Sequence, residues 1–323
     1  MTPLLLALVV SQSSQQVPAD APPAEPVVDA PPAAPVAAPV AAPVSPPAPV
    51  DAPAAEAPAS WADRLLSNTA PIGLGLHAEV GFVGVLSHHI QLSRGGSDID
   101  YLKDGGQNTL FPFLRFSADV KFLKRHAVVL LYQPLELSTP QLLRRDLVVD
   151  GETFKAGTPM DFGYGFSFWR LSYLYNFLWA HPGEEFALGA SLQIRNARVT
   201  FSSRDGTQFR SNEDIGPVPV IKLRARHTFP SKVWLGAEVD GFFAGTPGFN
   251  GSDSQFIGAI LDASLRMGVE LTPSIDGFLN VRTILGGAVG TEKRPTPPSD
   301  GYVNNWLYTM SLSVGFSLKS PGR

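Results

Sequence analysis

The sequence predicts an all-β fold: an antiparallel, up-and-down transmembrane β-barrel of about ten strands, preceded by a disordered Pro/Ala-rich segment. Three observations predict it. Beyond residue 70 ten candidate strands follow one another, and in all but the third apolar residues alternate with small or polar ones, the period-two signature of a strand whose faces meet different surroundings. The connections between these runs are alternately short and long. No window of about 18 apolar residues, the length of a helical span, occurs anywhere.

The N-terminal part is of another kind. Leu4 to Val10 form a short apolar core with no positive charge before it and no Ala-x-Ala after it. Residues 1–16 are read as a signal peptide on the strength of that core. Residues 17–60 are almost wholly Ala, Pro and Val with a few acids, too poor in large apolar side chains to fold, and read as a disordered linker. Stretched as polyproline at about 3.1 Å per residue, it would reach on the order of 130 Å, enough for a tether towards a cell wall. Residues 61–323 are assigned to the barrel.

The strands follow in order. In the first, Ile72, Leu74, Leu76, Ala78, Val80 and Phe82 oppose Gly73, Gly75, His77, Glu79 and Gly81. In the second, Leu114, Phe116, Ala118, Val120 and Phe122 oppose Arg115, Ser117, Asp119 and Lys121. The third, Ala127 to Leu137, is apolar on both faces and has no readable phase. Trp169 to Phe177 and Phe186 to Ile194 carry the fourth and fifth, with Arg170 and Arg195 on their polar faces. The sixth and seventh set Lys222, Arg224 and Arg226, then Glu238 and Asp240, on the polar side. The eighth, ninth and tenth, from Ile257, Ile275 and Trp306, do the same with Asp262, Arg266 and Glu270, with Asp276 and Arg282, and with a row of Ser and Gly.

The connections near 123–126, 179–185, 229–232 and 272–274 are short. Those near 87–108, 138–160, 202–213, 245–253 and 286–301 are long and polar. Short turns on one rim and long loops on the other, with aromatic residues at strand ends, are the pattern of outer-membrane barrels. An even strand number returns both termini to the short-turn rim. The alternative is a soluble, lipocalin-like barrel or sandwich with its apolar faces inside.

With these features residues 70–320 resemble the small outer-membrane β-barrel superfamily that includes the opacity-type and OmpX-like proteins. The resemblance implies a bacterial outer-membrane location, lipid as surroundings and the barrel-assembly machinery as a partner through the last strand. In SVGFSLKS, Gly315 and Leu318 stand where that family has Gly and an apolar residue, and Ser320 stands where it has an aromatic one.

If the apolar faces point outward, the polar faces fill a narrow lumen. The predicted charge network there comprises Glu79, Arg115, Asp119, Arg170, Arg195, Lys222, Arg224, Arg226, Glu238, Asp240, Asp262, Arg266 and Arg282, with Lys121, Glu270 and Asp276 beside them. Ten strands leave little more room than the eight that side chains just fill, so these charges are expected to pair. A tight turn at Pro230-Ser231 pairs Arg224 with Glu238 and Lys222 with Asp240.

Composition and motifs exclude much else. The barrel part is nearly neutral, with 25 basic and 24 acidic residues after position 59, which argues against nucleic acid. Cysteine is absent, removing disulfides and thiol chemistry. Outer-membrane lipid A deacylases carry a His-x-Ser pair and ten-stranded outer-membrane proteases an Asp-x-His pair, and neither occurs here, nor does a G-x-S-x-G elbow. Asp98, Asp100 and Asp104-Gly105 lack the bidentate Glu of a calcium loop. His88-His89 are placed in the first long loop. The expectation is therefore a non-enzymatic barrel, structural, adhesive or weakly pore-forming, with no catalytic residue, metal or cofactor. The alternative is an outer-membrane enzyme acting on lipid or peptide.

Overall fold

The computed structural model describes residues 72–245, 255–292, 295 and 297–320. The signal-peptide and linker readings of residues 1–16 and 17–60, and the connection near 245–253, lie outside the described residues. What is described is all-β.

Ten staves form one closed antiparallel wall. In chain order they are β1 (Ile72–Leu92), β3 (Leu110–Phe122), β4 (His126–Gln133) continued by β5 (Glu136–Leu142), β8 (Pro159–Asn176), β9 (Glu184–Ser203), β10 (Phe209–Thr228), β11 (Val233–Gly245), β12 (Gln255–Thr272), β13 (Ile275–Thr291) and β14 (Tyr302–Lys319). β14 pairs back on β1 from Gly75↔Lys319 to Leu92↔Val303, which closes the cylinder; towards the long-loop end β5 pairs with β8 alone. Short β2 (Ile99–Asp100) and the hairpin β6 (Leu147–Val149)/β7 (Glu152–Phe154) lie in the long connections.

The two faces of each stave separate as the alternation predicts. Phe82, Leu114, Leu171, Ile194, Ile221, Leu265, Leu279 and Leu312 are exposed, while Glu79, Arg115, Arg170, Gln193, Lys222, Asp262, Arg282 and Ser311 are buried. The apolar rows therefore lie outside and the ionic rows inside, and the alternative of a soluble binder with an apolar lining is excluded by this arrangement. The third stave gains its phase from its neighbours. Ala127 and Val129 turn inward and pack on Leu174 and Ala187, while Leu130 faces out. Aromatic side chains crowd the short-turn rim, with Tyr175 on Phe177 and Phe177 on Phe186 at centroid distances of 5.1 and 6.2 Å, the position of an interfacial girdle. Where staves cross closely, a side chain is not tolerated: a Cβ on Gly189 would overlap the Tyr173 carbonyl oxygen.

Three sequence boundaries need correction, for one reason. A span needs about 9–11 residues, but β1 runs for 21 and β9 and β10 for 20 each. Polar segments beyond the apolar belt stay in the ladder, because neighbouring staves are as long and satisfy their backbone. The segment near 202–213 is thus mostly strand around a turn at Arg204–Gln208, and 138–160 contains β5 and the β6–β7 hairpin. His88 and His89 belong to β1 and not to a loop. A bulge between Val85 and Ser87 shifts the register and turns His88 inward, where it is fully buried.

The long-loop end of the lumen is filled by an apolar cluster. Val83, Ile90, Phe111, Phe113, Leu137, Phe162 and Phe201 from the wall meet Ile99, Tyr101, Leu147 and Phe154 from the loops, all buried. The loops are tied down over it. Arg145 donates to Asp104 Oδ2 at 2.6 Å and to the Asp98 carbonyl at 2.7 Å. Gln208 and Arg210 both donate to Glu152, at 2.7 Å each. Asp100 accepts from the Leu102 and Lys103 amides, so the loop aspartates serve turns and an ion pair. No cluster that could hold a metal ion occurs among the described residues.

Candidate functional site

Below the apolar cluster the inward residues become ionic, and the lumen is crossed by a belt of charges. Asp262 on β12 stands at its centre. It faces Arg115 on β3 at 3.6 Å, Arg170 on β8 at 3.0 Å and Arg282 on β13. Arg170 also reaches Asp240 at 2.8 Å and donates to Gln193. Lys222 bridges Glu238 and Asp240 at 3.1 and 3.0 Å. Arg266 bridges Glu238 and Glu79 at 3.0 and 2.9 Å, and Glu79 accepts further from Asn280 and Ser313. Among the described residues five cations here face four carboxylates. Multiple hydrogen bonds from each guanidinium are what make so many buried charges tolerable.

Register explains who meets whom. The Pro230-Ser231 turn sets Lys222 opposite Asp240 and Arg224 opposite Glu238, as the sequence predicts. Lys222 pairs accordingly. Arg224 does not bond Glu238; its Nε donates to Glu185, which also takes Lys121 at 3.0 Å. Sequence reading placed Glu185 in a turn, whereas β9 begins one residue earlier and its alternation turns Glu185 inward. Arg226 reaches Asp276 at 3.1 Å and lies over the Trp234 ring at 4.1 Å. Arg195 stands apart from the belt and pairs with Asp214 at 2.6 Å on the outer part of β10. Asp119, the remaining predicted member, holds His77 at 2.8 Å.

The belt floors a cavity of about 810 Å³ that extends to the short turns, lined among others by Arg115, Arg224, Arg226, Trp234 and Lys319 and by Lys124, His181 and Pro182 of the rim. Its size is that of a small-molecule site. Arg115 Nε and Nη2 and Trp234 Nε1 find no hydrogen-bond acceptor among the described residues.

On the same wall three strands bring together a group that no contiguous motif shows. His77 lies opposite Ser317 of β14, and Asp119 sits on the neighbouring stave β3 two residues beyond Ser117, the register partner of His77. His77 Nδ1 is 2.7 Å from Ser317 Oγ and His77 Nε2 is 2.8 Å from Asp119 Oδ1. All three line the cavity. His-x-Ser and Asp-x-His pairs lie along a single strand, whereas residues 77, 119 and 317 lie on three. Only the closure of β14 on β1 makes them neighbours.

Among solved structures, the chain is similar to the outer membrane protease OmpT from Escherichia coli, with 9% identity and a TM-score of 0.47 over 78% of this chain and 100% of that one. It is also similar to the attachment invasion locus protein Ail of Yersinia pestis (7% identity, TM-score 0.31, 76% and 98% covered). A third is the outer membrane protein OprG from Pseudomonas aeruginosa (10% identity, TM-score 0.31, 76% and 95% covered). No protein-family model and no curated protein matches the chain.

Proposed function

We propose that this chain is a non-conducting outer-membrane β-barrel, with a packed loop surface at one end and an aqueous cavity at the other. The observation that carries the reading is the order of layers along the lumen: a tied-down apolar cluster, then the paired charge belt, then the cavity. An ion crossing the barrel would have to pass both the dry cluster and the belt. The closed wall, its even number of staves and its exposed Leu, Val and Phe rows support lipid as the surroundings, since unpaired backbone is not tolerated there. The last strand, with Phe316 and Leu318 facing out, would engage the assembly machinery. Residues 17–60 would tether the short-turn rim towards the cell wall.

Two measurements test this together. Cell fractionation should find the protein in the outer membrane with heat-modifiable migration on gels. Reconstituted in planar bilayers, it should give no steady conductance. Recovery in a detergent-free soluble fraction would refute the membrane placement, and regular single-channel steps would refute the closed lumen.

A further inference from the structure

We propose that the short-turn cavity is a hydrolytic site for acyl esters of small anionic molecules, with Ser317 as nucleophile, His77 as its base and Asp119 as the residue that positions His77. The inference goes beyond the closed-barrel reading and does not depend on membrane placement.

The geometry is the signature of an activated nucleophile: a hydroxyl within reach of a base, and the base oriented by a third group. Asp119 as a carboxylate only accepts hydrogen bonds, so at 2.8 Å it takes the Nε2–H of His77. That fixes the neutral tautomer whose lone pair is on Nδ1, and Nδ1 is the atom 2.7 Å from Ser317 Oγ. Such sets recur in any chain order and are recognised by geometry; here the ring is turned relative to the serine-protease arrangement, with Nδ1 on the Ser and Nε2 on the carboxylate. The Asp119 side chain is 2% exposed and that of His77 28%, so the orienting group is buried while the base meets the cavity. Strands on both sides of β1 are fully laddered, which holds the three residues on rigid elements.

The cavity supplies the substrate class. Among the described residues its lining holds nine Lys and Arg against six Asp and Glu; Lys121 and Arg224 share Glu185, and Arg226 and Lys319 share Asp276, so the paired walls still carry an excess of positive charge. The belt above has one cation more than its carboxylates, among the described residues. A solute bearing a carboxylate or phosphate is drawn to such an excess of positive charge. In the reaction Ser317 Oγ attacks the ester carbonyl carbon, its proton passes to His77 Nδ1, and the carbonyl π pair moves to oxygen beside the cationic wall. Collapse breaks the C–O bond to the alcohol, which leaves with the proton from Nδ1. Water repeats the cycle on acyl-Ser317 and releases the acid.

The test uses the full chain in detergent micelles, with heat-modifiable migration confirming the folded barrel for each variant. A fluorophosphonate probe should add its mass to the peptide containing Ser317, and Ser317→Ala should take no label. 4-Nitrophenyl hemisuccinate should be cleaved faster than 4-nitrophenyl acetate. His77→Gln should lower kcat about 10²- to 10⁴-fold. Asp119→Asn should lower kcat about tenfold or more with KM unchanged, which a merely structural role would not do. No label on Ser317, or equal label and rates in wild type and Ser317→Ala, overturns the site. Unchanged labelling in His77→Gln overturns the relay. Equal rates on the two esters overturn the anionic substrate class.

Discussion

Replacing Asp262 by Asn puts the charge belt to a quantitative test. The change keeps side-chain size and removes one negative charge from a position where the side chain is 1% exposed. Arg115, Arg170 and Arg282 all face that carboxylate, and each of those side chains is also 1% exposed. Five cations would then face three carboxylates. Removing one partner of a buried pair costs about 3–5 kcal/mol, because the other charge is left without compensation. With a urea slope of about 2 kcal/mol/M, the unfolding midpoint should fall by about 2 M. The assay is urea titration of the barrel refolded in lipid vesicles, followed by tryptophan fluorescence and by gel migration. Adding Arg282→Gln to Asp262→Asn should recover most of the loss, because the remaining charges are closer to balance. A loss below about 1 kcal/mol, the ordinary value of an exposed pair, would show that bulk water reaches Asp262 and that the belt is not a seal.

Other outcomes follow from the same layout. Leu265→Arg, on the exposed apolar row, should cost about 2–4 kcal/mol if that row lies near the middle of a bilayer; a neutral result in vesicle refolding would contradict the outward belt. Glu185→Gln should destabilise the short-turn end, since Arg224 and Lys121 both lean on that carboxylate, and the loss should shrink when Arg224→Gln is added. The Asp205 carboxyl in the β9–β10 turn is held down at about 2 by hydrogen bonds from the Ser203 hydroxyl, the Thr207 amide and the Thr207 hydroxyl. A depressed folded value means that its contribution is complete above the unfolded value of about 4 and lost as pH falls through about 2. A carbon-detected NMR titration of Asp205 with its midpoint near 4 would refute the turn geometry.

How far the fold could be read from sequence depended on contrast between faces. Where Leu, Val and Phe alternated with charge, as in Ile221 to Ala225 or Leu261 to Val269, phase, register and pairing were legible, and the Lys222–Asp240 contact followed from one turn. Ala127 to Leu131 offered no contrast, because the lumen there is itself apolar against Leu174 and Ala187. Strand ends are misplaced where polar residues such as Arg210, Ser211 and Asn212 continue the ladder beyond the belt. For those residues polarity reports solvent and not chain conformation. The bulge at Leu86 could not be seen, and with it the burial of His88. The charge network was legible as a list but not as partners. Arg224 has a long, flexible side chain that chooses Glu185 over its register neighbour, and Arg195 turns to Asp214 on the outer part of β10. The Ser317–His77–Asp119 contact was the least visible, since it joins the first, second and last staves and exists only in the closed ring.

In the proposed closed barrel the apolar cluster would make the lumen a cul-de-sac: a molecule entering past Lys124 and His181 would leave by the same doorway, and traffic through this space would be exchange with a single compartment. Product and reactant would share one exit, and any selectivity for what lodges there would be decided at the short-turn mouth alone, independent of conditions on the far side of the bilayer.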